Sequence, residues 1–181
     1  MNAIMQKVFE HRGYTQEFIN SLDSTEHPVL KDTDKIINRL KQAHDKGEKV
    51  IIVPDFDMDG IMSGVIGMAA LDDMGFNVKL HVPDPQRGYG FDHEDIDEIT
   101  DCHPDAKVII TCDTGITCYA GTDCANERGI DVLITDHHIP NDELPDALAV
   151  VDPYLDDAYE LKGICGAHVM WQTLMAYARA N

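Results

Sequence analysis

Basic side chains are scarce in this sequence: 14 lysines and arginines stand against 33 aspartates and glutamates, a formal net charge of −19. Nonspecific attraction to a polyanion is therefore opposed over most of the surface, and a nucleic-acid substrate would need a local basic groove, bound metal ions or a basic partner. Long hydrophobic runs are missing as well. None approaches the roughly 20 residues of a membrane span, and the opening MNAIMQKVFEHRGY lacks the basic-then-apolar layout of a secretory signal. A cytoplasmic protein with no membrane role is expected. The five cysteines are odd in number and scattered, and Cys112, Cys118 and Cys124 lie six apart. That spacing matches neither paired zinc ligands nor a secreted disulfide framework, so reduced thiols are expected. There is no HExxH, no internal repeat and no low-complexity segment.

What is present is enough apolar residue, 44% of 181, to bury a sizeable core. The first thirty residues suggest a lead-in with a short helix, AIMQKVFEHR, and residues 31–181 a single domain. DTDKIINRLKQAHDKGEK carries an N-cap-like Asp32 or Thr33 and Ile36, Ile37 and Leu40 at helical spacing, with Gly47 to end it. Short β-branched runs then alternate with helical stretches. The runs are 50–53, 78–82, 107–111, 130–135 and 147–151; the helical stretches are 60–75, 93–101, 119–129 and 166–180. This rhythm predicts an α/β domain, a mostly parallel five-stranded sheet with helices on both faces.

Ligands of such sheets bind outside the carboxyl ends of the strands. Read in order, those ends are followed by Asp55, Asp57 and Asp59, then PDPQRGYGF, then Asp113, then Asp136-His137-His138, then Asp152. Every run delivers polar chemistry to one rim. Carboxylates and imidazoles crowded there repel one another unless cations neutralise them, and an oxygen-rich set with some histidine suits Mn²⁺ or Mg²⁺. Two such ions about 3.5–4 Å apart support hydrolysis of phosphoesters or phosphoanhydrides.

DFDMDG, CDTGIT, TDHH and GICGAHVMW, in this order, resemble the motifs of the DHH phosphoesterase superfamily. Together with the lead-in HPVLKDTDKIINRLKQAHDKGEKVIIV, they are most similar to the N-terminal domain of RecJ-type exonucleases specific for single-stranded DNA. The resemblance covers roughly residues 25–178. It implies a two-metal phosphodiesterase, a 5′-to-3′ exonuclease core acting on single-stranded nucleic acid or oligonucleotides in DNA repair. Asp57 and Asp113 would hold one Mn²⁺ or Mg²⁺ ion, and Asp59, Asp113 and His137 the other, with Asp113 bridging. Asp55 would stand close to the first ion or its water, and His138 would contact the scissile phosphate or move a proton. Arg87 would contact phosphate and Tyr89 would pack or stack.

The sequence also departs from that family. Its last motif aspartate and its C-terminal DHH-associated domain lie past Asn181, so a separate C-terminal domain or partner chain is expected, with Asp152 a substitute ligand. His168 replaces a small residue, and Pro54 stands where glycine is common. A small-molecule phosphoesterase or pyrophosphatase, and a non-catalytic binding module, are the alternatives.

Simpler readings stand beside these. DxDxDG also opens a calcium loop, but the twelfth position from Asp55 is Ile66 rather than glutamate. Asp113 also fits a helix N-cap, Asp152 a turn before Pro153, and Gly88 and Gly90 a tight turn around Tyr89. Cys112 reads as a small buried hydrophobe, HEDIDEITD as a solvated face, and Met58, Met62, Met68 and Met74 as core filler.

Overall fold

The computed structural model describes Lys7 and residues 11–13, 29–159 and 161–181. The short helix expected over residues 3–12 lies largely outside the described residues. The remaining elements, in chain order, are α1 (Thr33–Lys46), β1 (Lys49–Pro54), α2 (Met58–Asp73), β2 (Asn77–Leu80), α3 (His93–Cys102), β3 (Ala106–Cys112), α4 (Tyr119–Glu127), β4 (Asp131–Thr135), β5 (Ala149–Val151) and α5 (Gly166–Ala180). Single 3₁₀ turns occupy Pro85–Arg87 and Pro153–Leu155.

All five strands are parallel, in the order β2-β1-β3-β4-β5. Strand alternation sorts the core into two layers. Val50, Ile52, Val108, Ile110 and Leu133 face Leu40 of α1, Leu71 of α2 and Val169, Met170 and Leu174 of α5. Ile51, Val53, Ile109, Val132 and Ile134 face Ile96 and Ile99 of α3 and Ala125 of α4. Strands buried on both faces read as unbroken apolar runs, which is why KVIIVP and AKVIITC show no polar alternation. Each fully buried isoleucine or valine contributes on the order of 1.5–3 kcal/mol. That apolar core offsets the repulsion among the carboxylates gathered at one end of the sheet.

Three details differ from the sequence reading. α1 starts after Asp32, which sits at φ 64° and makes no side-chain cap. Met58 and Met62 are exposed at 76% and 45%, on one stripe with Ile61 and Val65, because this side of α2 faces away from the sheet; Met68 and Met74 do pack on the core. Asp95 in the middle of HEDIDEITD is buried, not solvated. Among the described residues no helix is long and apolar enough to cross a membrane.

Candidate metal centre

The chain reverses its direction of winding between β1 and β3, and the crevice at such a switch point is where doubly wound sheets bind ligands. β1 ends in Pro54 and β3 in Cys112, paired side by side, and the Asp55 N–H continues the ladder by donating to the Cys112 carbonyl at 3.1 Å. This registry brings Asp55, Asp57 and Asp113 together, with one ligand atom of each within 4.8 Å of the others. A second group, Asp113, His137 and His138, meets the same criterion and shares Asp113.

Local structure explains each orientation. Asp57 is the N-cap of α2, its Oδ1 accepting from the N–H of Asp59 at 2.9 Å and of Gly60 at 3.0 Å. α2 can start this close to β1 because residue 60 is glycine: a Cβ there would lie 2.4 Å from the Asp55 carbonyl oxygen. Asp113 is not a helix cap, since Cys118 occupies that place for α4. It sits instead in the left-handed region at φ 62°, which turns its carboxyl group into the crevice. The buried Asp113 Oδ1 is 2.9 Å from His137 Nε2 but without hydrogen-bond geometry, and His137 Nε2 is 3.7 Å from Asp59 Oδ2.

Asp136, which the sequence places on the rim without a role of its own, organises this side of the crevice. Fully buried, it accepts from the Ile116 N–H at 3.0 Å, from the His137 N–H at 2.7 Å and from the His138 N–H at 3.2 Å, and its Oδ1 lies 2.7 Å from His138 Nδ1. The signal was available in the aspartate that precedes the histidine pair. Asp136 raises the His138 imidazolium to about 9, with Asp113 and Asp55 adding to the effect. Burial raises Asp55, and Asp57 and Asp136 push the same way. Asp113 is pushed up to about 8, first by burial and then by Asp59 and Asp57. A carboxyl group so placed takes up either a proton or a cation. The donor set, carboxylate oxygens with imidazole and no thiolate, fits a hard divalent cation.

Of the other expected site residues, Asp152 and Arg87 stand apart from the ligand groups and Tyr89 lines the crevice. Asp152 is buried and caps the second 3₁₀ turn by accepting from the Tyr154 N–H at 2.7 Å. Burial, then Asp136, raises it to about 7, and its Oδ2 has no hydrogen bond; like Asp59 it belongs to neither ligand group, but Asp59 alone of the two lies beside His137. Arg87 does not reach the crevice. Its guanidinium bonds Asp95 at 2.8 Å, Glu98 at 3.0 Å and Glu94 at 3.3 Å, all on α3, while His81 Nε2 meets Asp95 at 3.1 Å. Burial acts to raise Asp95, but His81, the Asp92 N–H and Arg87 outweigh it and hold the carboxyl low. Tyr89, two residues on, is exposed, and its ring lies 4.6 Å from that of Phe56. A cleft of about 340 Å³ opens here, lined by Asp55, Tyr89, Asp113, Ile116, Asp136 and His138 among others.

Fold and site together define a class: a doubly wound α/β domain that collects aspartates and histidines at its switch point. The chain belongs to the DHH family, whose N-terminal domain model matches residues 49–181. It is 35% identical over 185 residues to the single-stranded-DNA-specific exonuclease RecJ of Dickeya dadantii, covering 99% of this chain and 32% of that protein. The Escherichia coli protein of the same name is 35% identical over 151 residues, 81% of this chain and 26% of its own length. Among solved structures, exonuclease RecJ bound to manganese superimposes with a TM-score of 0.76 at 28% identity, over 85% of this chain and 39% of that one. RecJ from Thermus thermophilus in complex with Mn²⁺ gives 0.74 at 25% identity, over 95% and 24%. The chain thus spans a third or less of the length of these curated relatives.

Proposed function

We propose that this chain is the metal-dependent phosphodiesterase domain of a single-strand-specific exonuclease of the RecJ type. The observation that carries the reading is the pair of ligand groups that meet at Asp113. Its relatives are named as exonucleases for single-stranded DNA and are seen with manganese, which supports the same substrate class and metal here. Asp57 and Asp113 would hold one Mn²⁺ or Mg²⁺ ion and Asp59, Asp113 and His137 the other. Such ions supply Lewis-acid activation of water and neutralise charge at the phosphoryl group. Asp55, buried beside Asp57, orients the nucleophilic water. His138, held through Nδ1 by Asp136, offers its other ring nitrogen to the scissile phosphate as a hydrogen-bond donor.

The exposed Tyr89 ring against Phe56 gives the terminal base a surface to stack on. Because the net charge is −19, a basic C-terminal domain or partner chain carries the rest of the strand. The apolar stripe Met58, Ile61, Met62 and Val65 beside the rim is available to it. The same charge favours, as a second reading, a short oligonucleotide or other small phosphoester over a long strand.

Hydrolysis of a long single strand, a dinucleotide and pyrophosphate, each with Mn²⁺, tests the assignment. Strand cleavage that exceeds the other two supports it. Pyrophosphate hydrolysis without strand cleavage overturns it.

A further inference from the structure

Cys165 precedes α5 and provides no side-chain cap, so the first amides of that helix need an acceptor from elsewhere. They find one 107 residues away. Asp59 Oδ2 accepts from the Gly166 N–H at 2.8 Å and Asp59 Oδ1 from the Ala167 N–H at 2.9 Å. Two parallel bonds fix the plane of a carboxylate, where one would leave it free to swing. Each oxygen keeps a lone pair, and Oδ2 still lies 3.7 Å from His137 Nε2, on the crevice side.

The same turn also abuts Asp113. A Cβ at residue 166 would fall 2.4 Å from Asp113 Oδ1 and 2.5 Å from its Cβ, so only glycine lets the helix end come this near. One turn of backbone is therefore built against two of the proposed ligands.

We propose that the first turn of α5 is a positioning element of the metal centre: the Gly166 and Ala167 amides hold the Asp59 carboxylate in its ligating orientation, so that docking of α5 and cation binding are linked. The inference rests on the proposed metal site at Asp59, Asp113 and His137. Linkage is reciprocal. Cation binding tightens the α5 turn, and displacing the turn weakens cation binding. Groups that orient a ligand in this way typically change metal affinity about 10–100-fold when disturbed.

Two measurements on the whole chain test this. Amide exchange of residues 166 and 167, followed by NMR without metal and with Mg²⁺, should be slow in the wild type, slower with Mg²⁺, and faster in metal-free Asp59→Ala. Calorimetric Mn²⁺ titration of Gly166→Ala should show affinity weakened about tenfold or more, with a lower melting temperature in EDTA, since the added Cβ must push the turn away from Asp113, but a cooperative transition that marks it as folded. Unchanged exchange in Asp59→Ala, or wild-type Mn²⁺ affinity in a folded Gly166→Ala, overturns the proposal. If Gly166→Ala does not fold, the exchange comparison decides alone. A wild type that binds no Mn²⁺ overturns the metal reading and the linkage with it, while exchange in EDTA still decides whether Asp59 holds the turn.

Discussion

Asp136 holds His138 by both ends of its residue: one carboxylate oxygen lies 2.7 Å from the ring Nδ1 and also accepts the His138 backbone N–H at 3.2 Å. The Nδ1–H donates to Asp136, and with the imidazolium held up to about 9 the Nε2–H is the donor left to face a substrate. The other oxygen anchors Asp136 to the Ile116 amide across the crevice floor.

Asp136→Asn should therefore lower turnover about 10–100-fold while the protein still folds. An amide offers one acceptor where the carboxylate serves four donors, so the His137–His138 turn loses its orientation. NMR titration of His138 should show its pKa falling from about 9 toward the ordinary imidazole value. A variant with wild-type turnover would mean that His138 needs no such partner.

Asp113→Asn should separate stability from function. Asparagine tolerates the left-handed backbone at φ 62°, which alanine does not. It also removes a buried charge that faces Asp59 and Asp57. The metal-free variant should be more stable than the wild type above pH 8, by on the order of 1 kcal/mol, and should lose Mn²⁺ affinity altogether. Denaturant melts in EDTA and calorimetry check the two halves.

The metal-free protein should lose stability as pH rises. Asp113 and Asp152 are raised to about 8 and about 7, and His138 to about 9. In each case the folded state binds protons more tightly than the unfolded state. The contribution is full below the unfolded value and is lost as pH passes the folded one. Melting temperature in EDTA should fall between about pH 5 and pH 9, and added Mg²⁺ or Mn²⁺ should stabilise more at the alkaline end, where it no longer competes with protons. A melting temperature that rises over this range would contradict the proton-binding cluster.

Arg87→Met should act through the loop that carries Tyr89 rather than through phosphate. Its partners Asp95, Glu98 and Glu94 all lie on α3, so its loss should lower the melting temperature and loosen residues 85–91. Substrate KM should rise more than kcat falls. A fall in kcat at unchanged KM and stability would show that Arg87 swings to the transferred phosphate.

The order of strands and helices along the chain is legible in the residues alone, as is the rim to which Asp55, Asp57, Asp59, Asp113 and the His137–His138 pair are delivered. These follow from neighbours in the chain: apolar runs make buried strands, and whatever follows a strand of a parallel sheet emerges at one end. Tertiary structure decided the rest. No local pattern shows that Asp59 serves the amides of Gly166 and Ala167, because the residue before α5 carries no cap and the acceptor arrives from α2. Nor does HEDIDEITD show that Asp95 is buried between His81 and Arg87, or the repeat of methionines in α2 that Met58 and Met62 face outward. Helical and strand periods say which residues share a face. Which face is covered, and which carboxylate meets a guanidinium, an imidazole or a helix end, depends on segments far apart in sequence that become neighbours only once the sheet has closed its two apolar layers.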